Sequence, residues 1–255
     1  MLLALKNEII YGPVNSRRLG RSLGLNILPG NKKACPFNCV YCQYGWTEYH
    51  TTQIPSSLRL PGVDGVKEAL EAALIELETP PAFITFSGNG EPTVHPDFEA
   101  MVEGVISVRD RLAPAAQTAV LSNSALAGEK SIKKSLSKLD WTIMKLDCGS
   151  PRLFQRYNQP CSGVDLERIT QGLGELEDVV IQALFTSGES GNLETQNIEE
   201  WVERLKRIKP KAVQLYTLDR DYPDKTLKHA TIGELSRIRE RVKKAGIPAE
   251  VYQRL

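Results

Sequence analysis

Short apolar, β-branched runs alternate with amphipathic runs through most of this chain, and that alternation sharply limits the folds open to it. Candidate strands are 23–28, 83–87, 118–122, 142–147, 179–184 and 212–217, with a last one at 249–253. Segments of helical period lie between them. Val63, Val66, Leu70, Leu74 and Leu77 line one face, and Leu166, Ile169, Leu173 and Leu176 line another. Ile198, Trp201, Leu205 and Ile208 repeat the pattern, as do Ile232, Leu235, Ile238 and Val242. Ser162 to Asp165 and Thr231 to Glu234 have the spacing of helix-starting capping boxes. Strand and helix alternating this regularly predict an α/β fold, with a parallel sheet and helices outside it. Six such units fit a partial (β/α)6 TIM-type barrel. Residues 1–22 read as an N-terminal extension to a single barrel domain over 23–255.

In such barrels chemistry sits at the C-terminal ends of the strands. The polar and glycine-rich stretches fall at those ends. A cysteine loop follows the first strand, SGNGEPTVHP the second, SNS the third and DCGSPR the fourth. TSGESGN follows the fifth and LDRDYPD the sixth. Packing alone does not explain polar groups converging from successive strand ends.

The first of these loops holds Cys35, Cys39 and Cys42 in the string CPFNCVYC. Three close thiolates can hold three corners of an iron–sulfur cluster, and with no fourth cysteine nearby one iron is left open to a small molecule. A zinc loop is the alternative, but no second pair or histidines are placed to complete it. The apolar fraction of 41% and charged fraction of 25% are ordinary globular usage. No apolar run approaches the roughly 20 residues that span a bilayer. The start MLLALKNEII has neither a basic leader nor a small-residue cleavage site. Five cysteines in that setting predict a reducing, cytoplasmic compartment. The net charge of +1 is unevenly spread. Residues 1–50 carry six Lys/Arg against two Asp/Glu, residues 201–255 fourteen against seven, and the middle is acidic. Such basic ends suit either a phosphate-bearing partner or solvated helix faces.

The cysteine spacing after a first strand, Tyr41 just before the last cysteine, and Gly90–Glu91 after the second strand together resemble the radical S-adenosylmethionine (radical SAM) superfamily, over about residues 20–220. YGPVNSRRLGRSLG and SGNGEPTVHP resemble more closely a subgroup of iron–sulfur oxidoreductases related to the tRNA-wybutosine synthesis enzyme TYW1. That enzyme has further cysteines upstream for a second cluster. This chain has none before Cys35, so it is not that enzyme and its substrate does not carry over. The resemblance implies that Cys35, Cys39 and Cys42 ligate three irons of a [4Fe–4S] cluster whose fourth iron chelates the methionyl group of S-adenosylmethionine. Reductive cleavage then yields a 5′-deoxyadenosyl radical that abstracts a substrate hydrogen. An electron donor such as flavodoxin or ferredoxin is implied. The substrate is open between a small molecule, a peptide and an RNA. Two rival readings stand beside this one, a tRNA-modifying radical enzyme and an iron–sulfur electron-transfer protein that never cleaves S-adenosylmethionine.

Within that frame Glu91 is suited to accept from the methionyl ammonium, and the Gly88 and Gly90 backbone to approach the ligand. Ser122 and Asn123 are candidates for the ribose or methionyl carboxylate, or are polar loop residues. Tyr41 or Tyr44 lines the adenine pocket or simply packs. Lys145 and Asp147 share one sheet face. If that face is the barrel interior, they meet a carboxylate and a ribose, or they form a structural pair. Gln182 and Tyr216 are candidates of the same kind. His95 is placed to brace its loop or cap the next helix. Arg17, Arg18 and Arg21 hold an anionic ligand from above or pin the extension. Cys148, just past the fourth strand and three residues from Lys145, is a candidate substrate-contacting thiol. Cys161 is a second free cysteine, and both have packing as the alternative.

Overall fold

The computed structural model describes residues 1–252. Its strands are β1 (Ile10–Ser16), β2 (Gly20–Leu25), β3 (Ala34–Cys35), β4 (Tyr49–His50), β5 (Phe83–Phe86), β6 (Gln117–Ser122), β7 (Trp141–Lys145), β8 (Val180–Leu184), β9 (Thr186–Gly188), β10 (Ala212–Tyr216), β11 (Leu227–His229) and β12 (Ala249–Tyr252). Its helices are α1 (Val63–Glu76), α2 (Phe98–Leu112), α3 (Lys130–Leu136), α4 (Pro151–Tyr157), α5 (Leu166–Gly174), α6 (Thr195–Ile208) and α7 (Ile232–Lys244). Eight strands make one curled sheet in the order β1-β2-β5-β6-β7-β8-β10-β12. From β2 to β12 every neighbour is parallel, and only β1 runs antiparallel. This is the partial TIM-type barrel the alternation predicts. Each expected strand forms, and Gln253, included in the last of them, lies outside the described residues. Among the described residues no helix is long and apolar enough to cross a membrane.

The helical stripes bury as the period requires. Val66, Leu70, Ile169, Leu173, Trp201, Leu205, Leu235, Ile238 and Val242 all enter the main core between sheet and helices. Ile232 does not. It is 65% exposed at the first turn of α7, where no neighbouring element covers it. The Thr231 capping box forms, with Glu234 N–H on Thr231 Oγ1 at 3.2 Å and Thr231 N–H on Glu234 Oε2 at 2.7 Å. The box expected at Ser162 does not form. Asp165 itself caps α5, its Oδ1 accepting the N–H groups of Glu167 and Arg168 at 2.9 Å each. A carboxylate directly before the first turn satisfies two free donors by itself.

Of residues 1–22, those from Ile10 onward are woven into the sheet, while the first nine run over the loops, Leu3 N–H donating to Gln43 O at 2.8 Å and Lys6 N–H to Asn89 Oδ1 at 2.7 Å. β1 pairs with β2 from Ile10–Leu25 to Ser16–Gly20. The turn between them carries Leu19, 6% exposed, into a second small core with Ile143 and Val180, flanked by Phe83, Leu121 and Trp141. These residues alternate with the main-core residues on their strands, so they line the opposite, concave face. A half-barrel has no far wall to fill its inside, and the hairpin turn fills it instead. Above that layer the parallel register sets Lys145 beside Gln182 and Gln182 beside Gln214. Polar side chains therefore share the concave face close to the C-terminal strand ends.

Leu19→Ala should lower the unfolding free energy by about 2–5 kcal/mol, the usual range for an emptied apolar site. Val14→Ala on the same hairpin, at a position 41% exposed, should cost under about 1 kcal/mol. Urea unfolding of the two variants checks the difference.

Candidate active site

The cysteine loop is fixed from two sides. On one side Ala34, at the start of β3, donates to Asn89 O and accepts from Glu91 N–H, both at 3.2 Å. This contact explains both glycines of the loop after β5. Gly90 has φ +147°, and a Cβ there would lie 1.8 Å from Ala34 O. Gly88 has φ +127°, and its Cβ would lie 2.6 Å from Asn26 Oδ1. The close approach expected at these glycines is thus made by the protein's own groups. Buried Asn89 extends the knot, its Nδ2 donating to Lys6 O at 2.8 Å and Pro29 O at 2.9 Å. On the other side Val40 N–H donates to Tyr157 O at 3.1 Å and Cys161 N–H to Pro36 O at 2.8 Å.

N–H donors surround the sulfurs. Asn123 Nδ2 stands 3.2 Å from Cys35 Sγ, Phe37 N 3.4 Å from the same sulfur, and Asn158 Nδ2 3.5 Å from Cys39 Sγ. Lys33 turns inward to the same loop, 3% exposed, its Nζ donating to Gly45 O at 2.7 Å. Burial alone would lower its pKa. The neighbouring Cys42, Cys35 and Cys39 outweigh burial and hold the ammonium above its ordinary value. Burial pushes the Cys35 thiol up, and burial with the Asp147 carboxylate pushes Cys39 up to about 11. Loading metal here therefore releases protons. Among the described residues no three Cys, His, Asp or Glu side chains close on a single ion. Thiols ringed by N–H donors and a buried cation fit an anionic iron–sulfur cluster, whose corners are held by separate thiolates.

Glu91 lies beside this loop, fully buried. Its Oε1 accepts Thr93 N–H at 3.1 Å and Thr93 Oγ1–H at 2.7 Å, while Oε2 accepts Asn123 N–H. Burial raises its pKa against these donors. Glu91 therefore ties the loop after β5 to the loop after β6, where Ser122 Oγ accepts Ser124 N–H at 3.0 Å. His95 braces the loop as expected, its Nδ1 accepting Asp97 N–H at 3.0 Å and its Nε2 lying 3.2 Å from Pro61 O.

The concave wall is a network centred on Asp147. Its carboxylate accepts from Tyr41 OH, from Asn158 Nδ2 at 2.9 Å and from Leu184 N–H at 2.8 Å, with Lys145 Nζ at 3.3 Å. The structural Lys–Asp pair is thus present, and Asp147 is already occupied by protein donors. Lys145 Nζ also donates to Tyr216 OH at 2.6 Å and lies 4.9 Å from the Tyr41 ring centre. Burial lowers the Lys145 pKa, and Asp147 with Tyr216 more than restores it, so it is a fixed ammonium. Tyr41 is packed, its ring 4.9 Å from that of Tyr157 and its hydroxyl spent on Asp147. Gln182 Nε2 donates to Gln214 Oε1 at 2.9 Å. Arg18 stacks 4.5 Å above the Tyr216 ring, whereas Arg17 pairs with Asp219 at 2.9 Å and Arg21 donates to Thr79 O. Of the three arginines only Arg18 reaches this wall. Tyr44 is raised by burial and by its neighbours Tyr11 and Cys42.

Cys148 lies elsewhere. It is 0% exposed in the main core, and burial, then Asp147, push its thiol well above the ordinary value while Lys145 opposes only weakly. Side chains alternate along a strand, so the residue after Asp147 turns away from the concave face. Cys161 is half-buried against the outside of the cysteine loop, its thiol raised by burial. Lys33, Asn26, Asn89, Asn158 and Gln214 carry the site without any spacing signal of their own. The nearest hint is that Asn26 and Asn89 fall at strand ends.

Residues 33–208 match the radical SAM superfamily, a span that takes in the cysteine loop and the strands behind it. The chain belongs to the radical SAM superfamily. At that level it is an enzyme, of a family that uses a [4Fe–4S] cluster and S-adenosylmethionine. A UPF0026 protein of Synechocystis sp. is 34% identical over 222 residues, covering 84% of this chain and 77% of that one. Among solved structures, a radical SAM methyltransferase from Sphaerobacter thermophilus superposes with a TM-score of 0.60 at 16% identity, covering 91% of this chain. TYW1 with a lysine–pyruvate adduct bound superposes at 0.58 and 15% identity, covering 88%. This chain spans 66% of the methyltransferase and 73% of TYW1. At those identities the likeness is one of fold.

Replacing Cys35, Cys39 or Cys42 by Ala should abolish iron uptake on anaerobic reconstitution. Cys148→Ser and Cys161→Ser should leave the iron count unchanged. Cys148→Ser should also lose about 1–3 kcal/mol of stability, since it sets a hydroxyl in an apolar site. Iron assay and urea unfolding together check the assignment, and iron loss in the Cys148 or Cys161 variants would overturn it.

Proposed function

We propose that this chain reductively cleaves S-adenosylmethionine at a [4Fe–4S] cluster held by Cys35, Cys39 and Cys42, and uses the product to take hydrogen from an organic substrate in the half-barrel. The observation that carries this reading is the cysteine loop locked to the Gly-Glu loop beside a polar concave wall. When bound, the cluster supplies one electron that breaks the C5′–S bond, leaving methionine and a 5′-deoxyadenosyl radical. The protein's part is to hold and orient. Glu91, with Ser122 and Asn123 around it, receives the methionyl end, while Gly88 and Gly90 let the protein's own backbone close up behind it. Lys145, Gln182 and Tyr216 form a polar wall, and Arg18 above it, stacked on Tyr216, supplies the positive charge that suits an anionic group on the cofactor or substrate. Asp147 and Tyr41 set the position of Lys145. The β1–β2 turn closes the interior from below and keeps water out of it.

An electron carrier needs no such wall, so the electron-transfer reading is the weaker one. The RNA reading draws on the likeness to TYW1, but several of the basic residues near the C-terminus are paired with carboxylates. Arg204 and Arg207 face Glu167, Lys206 faces Glu203, Arg241 faces Glu199 and Lys243 faces Glu250. We therefore favour a small-molecule or peptide substrate, a flavodoxin- or ferredoxin-type donor and a cytoplasmic setting.

Anaerobically reconstituted protein given dithionite and S-adenosylmethionine should form 5′-deoxyadenosine, measured by mass spectrometry. Full iron with no 5′-deoxyadenosine would favour the electron-transfer reading. Glu91→Gln should keep the cluster and bind S-adenosylmethionine about tenfold to a hundredfold more weakly, the loss of one charge-assisted hydrogen bond of about 1.5–3 kcal/mol. Unchanged affinity by calorimetry would remove Glu91 from the cofactor site.

A further inference from the structure

We propose that Lys33 is the buried counter-charge of the iron–sulfur cluster and that its ammonium sets the cluster's reduction potential. A lysine 3% exposed is rare, and an uncompensated buried charge is strongly unfavourable. Its neighbour Lys32 behaves as surface lysines do, reaching Glu48 at 3.8 Å and Tyr49 OH at 3.3 Å. Lys33 takes the opposite course. Among the described residues it makes no ion pair with an Asp or Glu, and its Nζ donates to the neutral Gly45 carbonyl at 2.7 Å and to the Cys42 side chain. Gly45 N–H in turn donates to Cys42 O at 2.9 Å, so this bond holds Nζ at the turn that follows the third cysteine. The anionic partners within reach are the sulfurs of Cys42, Cys35 and Cys39. An anionic cluster held by those sulfurs would complete the charge balance around Lys33.

A fixed positive charge beside a cluster acts unequally on its two redox states. One-electron reduction adds one negative charge and no proton, so a nearby cation in a low-dielectric site stabilises the reduced form more than the oxidised one. The electron comes from a low-potential donor of the dithionite or flavodoxin class. Lys33 acts through the cluster and is a positioning residue for charge. A lysine suits that task, because its ammonium is a compact point charge that fits beside a sulfur.

The inference rests on the cluster reading above. Wild-type protein that takes up no iron defeats that reading, whereas an iron-loaded variant with an unmoved potential defeats only this one. The test compares Lys33→Met, Lys33→Gln and Lys33→Arg in the full reconstituted chain, with iron assay and a redox titration followed by electron paramagnetic resonance. Lys33→Gln keeps a donor for Gly45 O, which separates charge from the shape of the turn. Both neutral variants should be more negative in midpoint potential. Their reduced-to-oxidised ratio at the wild-type midpoint should fall at least tenfold, which is about 59 mV for a one-electron couple. Lys33→Arg should stay within about threefold of wild type. A neutral variant with full iron and a smaller shift than this overturns the proposal. If neither neutral variant takes up iron, Lys33→Arg decides. Iron in that variant alone supports the need for a buried cation, and iron in none of the three assigns Lys33 to loop shape and overturns the proposal.

Discussion

Ala34 gives its N–H to Asn89 O and takes Glu91 N–H on its carbonyl, and through that pair of bonds the cysteine strand is fixed to the sheet. The rest of the site follows from this contact. Gly90 must be glycine for the two backbones to meet. Glu91, set immediately after, reaches across to Asn123 N–H, and Asn123 in turn points its amide at Cys35 Sγ. Three segments far apart in sequence thus hold one sulfur. Each of the bonds is modest alone, about 1 kcal/mol net. Their joint effect is that the loop's geometry exists before any cofactor arrives, which lowers the ordering cost of binding.

The polar groups of the site divide into two kinds. Asn26, Asn89 and Asp147 are held by the protein's own groups and serve as its internal fasteners, while Asn158 donates from Nδ2 and leaves its buried Oδ1 without a partner. Lys33 and Arg18 have few protein partners for their charge, and they border the space where anionic groups belong. Buried or half-buried charge left without a carboxylate is costly, so its persistence beside the cysteines and the concave wall indicates where ligand charge completes the structure.

Much of the fold was legible because parallel strands buried on both faces read as largely apolar runs broken by single polar residues, as at Phe83–Phe86 with Thr85 and Val180–Leu184 with Gln182. β1 was not, because Gly12 and Pro13 interrupt it and four of its residues face solvent. The two-residue strands β3 and β4 have no periodicity to find. In the site, the cysteine spacing and the Gly-Glu pair were legible because they are local. Lys33 was not, since a lysine's burial depends on what folds over it. Cys148 was misplaced because a strand-end position fixes height along the barrel, while the face it points to depends on a one-residue register. Tyr41 and Asp147 stand on the concave wall with their side chains bound to each other, which no spacing shows.

The position of Leu19 also bears on how the chain is built. β1 and β2 form a local hairpin, but the apolar surface that Leu19 needs belongs to Ile143 and Val180, more than a hundred residues later in the chain. During synthesis the hairpin therefore waits, made early and seated late, until β7 and β8 have joined the sheet. Contacts of such long sequence separation form slowly, because the loop between them must be closed first.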